Sequence, residues 1–254
     1  MYTKNYIAIE YNGATVQEKN YPVAVEGTIE LFLNKTPIAS ILATPELLKE
    51  LAIGYLICEG LVKNADHITD LKIDEKGIYI EVEETEHLEL WRELRSSGCV
   101  GVKWEENESI SVISSTRFSI DAICKSLGFL DSEIYRETHG THAACLMNTQ
   151  GECVIKAIDV GRHNAFDKVV GYAYLNGINV SEHFIFSSGR QSAGMVLKAA
   201  RAGIPLVATK TAPLNSGIDA AQRTGVCLVC FVSNEKISVF SHPERLLCLS
   251  LIHI

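Results

Sequence analysis

No run of apolar residues in this chain approaches the roughly 18 that a membrane-crossing helix requires. The opening segment, Met1 to Tyr11, has no basic stretch leading into an apolar one. The expected location is therefore the cytoplasm, with no membrane partner. Positive charge is also short: 23 Lys and Arg stand against 31 Asp and Glu, for a net charge of −8. Binding nucleic acid by phosphate neutralisation needs the opposite balance, so no nucleic-acid partner is expected and any anionic ligand must be met by a local basic pocket. Regular cysteine spacing is absent as well. The eight cysteines read as reduced thiols of a cytosolic protein, so each needs its own explanation. There are no internal repeats and no low-complexity tracts. What is present is a hydrophobic fraction of 47% over 254 residues, which excludes disorder and suffices for one large domain or two modest ones.

Along the chain, Thr28 to Thr44 alternates around Asn34-Lys35-Thr36-Pro37 as a β-hairpin does. A helix over about 45–60 follows, with Thr44 as its cap, Pro45 in its first turn and Gly60 at its end. A second hairpin is expected at Leu71 to Val82, turning at Glu75-Lys76-Gly77. The small residues around Cys99 (Ser96 to Gly101) then suit a mobile, exposed loop, and a domain boundary is expected near Ser115. The expected division is a β-rich N-terminal domain over 1–115, carrying the one helix and the Cys99 loop, and a second domain over 116–254.

From Ser119 onward strands and helices alternate. Ser119 caps a short helix through Leu127, Thr141 to Asp159 forms a hairpin turning at Gln150-Gly151, and His163 to Asn176 is a helix stopped by Gly177. Strands at Phe184 to Ser187, Leu206 to Thr209 and Val226 to Val232 enclose helices at Ser192 to Ala202 and Ser216 to Thr224, ended by Gly203 and Gly225. This predicts an α/β sheet with some parallel pairing and helices on both faces.

The densest chemistry lies in Asp159 to Lys168 (DVGRHNAFDK), where two acids, two bases, a histidine and a glycine meet at a strand-to-helix junction. Ser187 to Ser192 (SSGRQS) is a second such junction. Free helix-start amides favour anions, and Arg162 and Arg190 add bidentate donors, so two junctions at one sheet edge would build one pocket. An ordinary turn with an exposed arginine is the plainer reading of the second. Thr138 to His142 (THGTH) offers hydroxyls and imidazoles for pocket lining, or, as a rival, a zinc site. Cys227 and Cys230 have Cys-x-x-Cys spacing inside a strand, where positions three apart point to opposite faces, so a buried pair is expected. Cys58 and Cys124 read as core cysteines, and Cys145 and Cys153 belong to a hairpin. Cys99 has Gly98 and Gly101 beside it and Arg92, Arg95 and Lys103 nearby, so it is either a reactive thiolate or an incidental surface cysteine.

Five stretches, in order, resemble the formate dehydrogenase accessory sulfurtransferase family (FdhD/NarQ): Glu50 to Leu61 (ELAIGYLICEGL), Gly140 to Ala144 (GTHAA), Asp159 to Lys168, Ser188 to Ser192 followed by Met195 to Pro205 (MVLKAARAGIP), and Ser241 to Arg245 (SHPER). The resemblance runs from about residue 20 to residue 245. It implies a protein that takes sulfur from a cysteine desulfurase, holds it as a cysteine persulfide and passes it to the molybdenum cofactor before that cofactor enters the formate dehydrogenase catalytic subunit. It also implies a cytidine-deaminase-like α/β/α C-terminal domain behind a smaller β-rich part, in a homodimer. The ligand would be molybdopterin guanine dinucleotide in its bis form, with no resident metal, since the deaminase zinc signature is missing.

Under the resemblance Cys99 is the persulfide carrier, while Val102 stands where the family's second loop cysteine would be, removing a resolving thiol. The family's cofactor-contacting segment maps onto Phe231, Val232, Ser233, Asn234, Glu235 and Lys236. His142, Arg162, His163, Ser188, Gly189 and Arg190 complete the expected cradle. His139 stands where a small residue is usual and Gly194 where a glutamate is common. The end, Cys248 to Ile254, matches nothing in the family. Two rivals to the carrier remain: a cofactor-binding chaperone without sulfur transfer, favoured by Val102, and a zinc-dependent nucleobase hydrolase.

Overall fold

The computed structural model describes residues 2–83 and 110–247. Cys99, Val102, their arginine and lysine neighbours and the 248–254 tail lie outside the described residues.

The chain begins with a hairpin that the sequence pattern did not signal. Strands β1 (Thr3–Asn12) and β2 (Thr15–Ala24) pair antiparallel over their whole length. The run Tyr6-Ile7-Ala8-Ile9 has no clean alternation because neither face of the ribbon is buried.

The first expected hairpin is β3 (Gly27–Leu33) and β4 (Thr36–Ala43), closed by Asn34 and Lys35 at φ 44° and 64°. Two consecutive left-handed residues match the right-handed strand twist. The second is β5 (Ile68–Asp74) and β6 (Gly77–Val82), and β6 pairs parallel with β3, giving a four-stranded sheet ordered β4-β3-β6-β5. Helix α1 (Leu48–Cys58) links the hairpins and is buried on nearly every side.

Thr44 does not cap α1. The cap position falls to Leu47, in the left-handed region at φ 54° and with no side-chain cap bond. Thr44 is 1% exposed, and its polar groups are drawn inward: its amide donates to Asp159 Oδ2 at 3.0 Å and its hydroxyl accepts from the Val160 amide at 3.2 Å. A buried carboxylate outcompetes a helix start for these groups.

Beyond residue 110, β7 (Phe118–Ser119) leads into α2 (Ile120–Lys125), capped by Ser119 as expected. Then come α3 (Glu133–Thr138), β8 (His142–Met147), β9 (Cys153–Asp159), α4 (Arg162–Leu175), β10 (Phe184–Ser187), α5 (Ala193–Arg201), β11 (Leu206–Thr209), α6 (Asn215–Thr224), β12 (Cys227–Cys230) and β13 (Ser238–Ser241). A short β14 (Leu246–Leu247) pairs with β7. The main sheet is ordered β13-β12-β11-β10-β8-β9, parallel only across β10, β11 and β12.

Alternation sends side chains of this sheet to two cores. On one face Leu146, Ile185, Val207 and Leu228 pack with α4, α5 and α1, in a core that also holds Leu31 and Ile78 of the smaller sheet. On the other, Cys145, Phe186, Ala208 and Val229 pack under Phe118, Ile123 and Leu130. The mixed α/β expectation, with helices on both faces, is thus met. Cys227 lies in the second core and Cys230 in the first, so the Cys-x-x-Cys pair is split between faces. Cys58 is fully buried, whereas Cys124 is only half-buried, because α2 covers the edge of its core and leaves Ile120 38% exposed.

Helices α1 and α4 touch backbone to backbone. A Cβ on Gly54 would stand 1.7 Å from the Asp167 carbonyl oxygen, and one on Gly171 would stand 1.9 Å from that of Glu50. Among the described residues no helix is long and apolar enough to cross a membrane.

Candidate functional site

Strands β10, β11 and β12 run parallel, so their carboxyl ends, with the segments Ser188, Lys210-Thr211 and Phe231 that follow, come out on one edge. The register His142↔Asp159 brings the start of β8 and the end of β9 to that edge too. Ligands of α/β sheets settle outside such carboxyl ends. A cavity of about 400 Å³ opens there, lined by Ser132, Tyr135, Thr141, His142, Ser188 and Lys210 among others.

The wall nearest the sheet is preorganised. Ser188 Oγ accepts the Ala143 amide at 3.0 Å and lies 3.1 Å from His142 Nδ1. With one hydrogen and a second lone pair left, the Ser188 hydroxyl can meet Nδ1 of either imidazole tautomer. Burial, then Arg162, push the His142 pKa below its usual value, favouring the neutral ring. Thr141 is 6% exposed, and its hydroxyl has no hydrogen-bond partner among the described residues. A buried hydroxyl without a partner beside a cavity is a place for a ligand atom. The outer wall is aromatic and cationic: Lys210 Nζ lies 5.6 Å from the Tyr135 ring centroid, and the Tyr135 and His139 rings meet edge to face at 5.5 Å. His139 holds a left-handed backbone at φ 51°.

The two Gly-Arg junctions do meet. A Cβ on Gly189 would stand 2.7 Å from Arg162 Cδ, so the Arg162 stem lies across the Gly189 backbone, and Arg162 Nε has no partner among the described residues. Asp159 holds the start of α4: its Oδ1 accepts the Gly161 amide at 2.8 Å and Asn164 Nδ2 at 3.0 Å, while Oδ2 pairs with Lys168 Nζ at 2.6 Å. Asp159 and Lys168 are both fully buried. Asp167 is likewise structural, gripping Lys198, which also pairs with Glu59 of the α1 end at 2.8 Å. Both aspartates thus lock elements together.

His163 stands with this second lock and does not line the cavity: the Lys198 and Glu59 charges act on it, and burial, Lys198 and Arg162 push its pKa down to about 4. Arg190 is exposed. In the segment mapped from the family, the Phe231 amide donates to the Thr211 carbonyl at 3.0 Å and that of Val232 to Thr209 at 3.1 Å, so the turn folds over the end of β11. Val232 is 4% exposed and its amide is already bonded to Thr209, so it is closed to a ligand. Asn234, Glu235 and Lys236 are exposed, beside a half-buried Ser233. Cys99 cannot be placed relative to the cavity, since it lies outside the described residues.

Of the expected cradle, His142 and Ser188 line the cavity, and Arg162 and Gly189 cross beside Ser188. Thr141 lines the cavity too, as the THGTH stretch suggested, whereas Tyr135 and Lys210 carry no such expectation from the sequence. Lys210 was within reach, because it follows the end of β11 as Ser188 follows β10; Tyr135 on α3 carried no such signal. Among the described residues no group of three or more His, Cys, Asp or Glu is placed to hold a metal ion.

A mixed α/β protein with a cavity of about 400 Å³ at the carboxyl edge of its parallel strands is the class these features define. The sequence model of the FdhD/NarQ family matches residues 24–247, and the chain belongs to that family. It is 39% identical over 209 residues to the sulfur carrier protein FdhD of Methanothermobacter thermautotrophicus, covering 81% of this chain and 83% of the relative. To the protein of the same name from Xanthomonas axonopodis pv. citri it is 35% identical over 254 residues, covering 92% and 87%. Its fold matches a crystal structure described as a formate dehydrogenase accessory protein from Desulfotalea psychrophila, with a TM-score of 0.82, 27% identity and coverage of 97% and 100%.

Proposed function

We propose that this chain is a cytoplasmic sulfur carrier for formate dehydrogenase maturation, with a persulfide on Cys99 and molybdopterin guanine dinucleotide, in its bis form, as the molecule it serves. The thiolate of Cys99 attacks the outer sulfur of a cysteine desulfurase persulfide; the desulfurase cysteine leaves as a thiolate, and Cys99 keeps the sulfur. Passing that sulfur on breaks the S–S bond, whose electron pair leaves with Cys99 as a thiolate, while the accepting cofactor supplies the pair that bonds the sulfur. In this reading residues 1–115 carry the loop and 116–254, a cytidine-deaminase-like domain, hold the cofactor.

The observation that carries the ligand half is the cavity with its unpartnered Thr141 hydroxyl. Its chemistry fits a nucleotide: Tyr135 offers a flat aromatic wall, Thr141 and Ser188 offer hydroxyls, and Lys210 in the wall and Arg162 beside it supply positive charge that the neutral His142 ring does not. Relatives named sulfur carrier proteins support the other half. Val102 favours a second reading, a chaperone that delivers the cofactor without carrying sulfur.

Intact mass after incubation with a cysteine desulfurase and cysteine separates the two. Gain of one reducible sulfur in the wild type, lost in Cys99→Ala, is expected; no gain with an active desulfurase selects the chaperone. Calorimetric titration with guanosine diphosphate tests the cavity, and Thr141→Val should weaken binding about tenfold, the cost of one unmade hydrogen bond. Absence of wild-type binding would refute the nucleotide reading.

A further inference from the structure

The sulfur transfer proposed for Cys99 leaves two other thiols unused, Cys145 and Cys153 of the β8–β9 hairpin. In that ladder Cys145 stands opposite Lys156 and Met147 opposite Cys153, with a register shift between Leu146 and Met147. Val154 is therefore an extra residue on β9, a bulge. Cys145, Met147 and Cys153 all face the core that holds Phe118 and Ile123, so the two cysteines are diagonal neighbours on one face. An ordinary diagonal is a little long for a disulfide, about 7–8 Å between Cα atoms against about 4.4–6.8 Å. A bulge sharpens the local twist, and here the two sulfurs stand within hydrogen-bonding reach of each other.

The two thiols are unlike. Cys145 is fully buried, whereas Cys153 is half-buried on β9, the strand that ends the order of the main sheet. The single Cys145 hydrogen has two acceptors in reach, the Phe129 carbonyl oxygen at 3.7 Å and the Cys153 sulfur. Donation to Cys153, with Lys156 close by, holds the Cys153 thiol below its usual range, and the same bond together with burial pushes Cys145 up. Lys156 is kept at the ladder by its bond to the Asp131 carbonyl. Cys124, also half-buried, goes the other way, pushed up by burial and by Asp121. A reachable thiol of lowered pKa backed by a buried one is the arrangement of an attacking thiol and its resolving partner.

We propose that Cys145 and Cys153 form a dithiol site that reacts reversibly with low-molecular-weight disulfides, independently of Cys99. The Cys153 thiolate attacks one sulfur of the small disulfide, whose other half leaves as a thiolate and takes up a proton from solvent. The Cys145 sulfur then attacks the Cys153 sulfur, and its proton goes to the second small thiolate as that one departs. The protein gives up two electrons and two protons and gains one S–S bond; the small disulfide loses its S–S bond and becomes two thiols. Excess small thiol runs the same steps backwards. The bond staples β8 to β9 across the bulge. It also takes the Cys145 hydrogen from Phe129, whose neighbour Leu130 lines the cavity.

Incubating the full chain with oxidised and reduced glutathione in set ratios tests the site, with alkylation of the remaining thiols and peptide mapping as the readout. The wild type should yield a peptide pair joined through Cys145 and Cys153, keep its circular dichroism, and recover both thiols in excess reduced glutathione. Cys99→Ala should behave in the same way. Cys145→Ala should stop at a mixed disulfide of glutathione with Cys153, formed at least about tenfold faster than any on Cys124. A wild type in which the joined pair is missing, or forms only as native circular dichroism is lost, overturns the proposal, as does a pair that needs Cys99. A Cys145→Ala protein that takes glutathione on Cys124 as fast as on Cys153 overturns the order of attack.

Discussion

Replacing Lys168 by Met leaves the Asp159 carboxylate without its counter-charge at the joint between Thr44 and the start of α4. Lys168 Nζ now bonds Asp159 Oδ2 at 2.6 Å and the Thr44 carbonyl at 2.8 Å, with both charged side chains fully buried. Removing one partner of such a pair costs about 3–5 kcal/mol, because the other charge stays behind. Asp159 would keep three donors, the Thr44 and Gly161 amides and Asn164 Nδ2, which places the expected loss near the lower end, about 3 kcal/mol. For a chain of this size that lowers the melting temperature by roughly 6–12 °C. Urea unfolding followed by circular dichroism measures the loss, and adding Asp159→Asn to Lys168→Met should recover part of it by removing the stranded charge. A loss below about 1 kcal/mol would refute the reasoning, since it would mean that the pair offsets no more than its own desolvation.

Gly54→Ala should destabilise by about 3 kcal/mol or more, because its Cβ meets a backbone oxygen that side-chain rotation cannot move; Gly128→Ala, with open space around it, should unfold in urea within about 0.5 kcal/mol of the wild type. His163, whose pKa falls to about 4, binds fewer protons folded than unfolded between there and its ordinary value. It therefore contributes stability that is present above that ordinary value and is lost as pH falls through the window. Unfolding measured across that range should show a shallower pH slope for His163→Gln than for the wild type; equal slopes would sink the assignment. Burial pushes the thiols of Cys227 and Cys230 up to about 12, so neither should react with a thiol reagent at neutral pH until the chain unfolds, as peptide mapping of the labelled protein would show.

Much of this fold was legible in the chain because its signals are local. The strands at Phe184–Ser187 and Leu206–Thr209 fall where short apolar runs end in small residues, and α6 stops at Gly225, which takes the left-handed φ of 77° that ends a helix there. The junctions at Gly161 and Gly189 stood out because charge and glycine concentrate where a strand becomes a helix. Local pattern failed where a distant group decided. Thr44 reads as a helix cap, yet Asp159, remote in sequence, takes its amide. The β1–β2 ribbon escaped notice because burial, which imposes alternation, does not act on it.

The full lining of the cavity belongs to the tertiary structure. Tyr135, Thr141, Ser188 and Lys210 come from separate segments, and nothing in their own neighbourhoods says that they meet. They meet because β10 lies between β8 and β11 in the sheet, which carries each following turn to the same edge. Side-chain period is written residue by residue and determined which strands and helices exist; which strand lies beside which is settled by burying the two faces of the sheet together, and only that packing joined Thr141, His142 and Ser188 to Lys210.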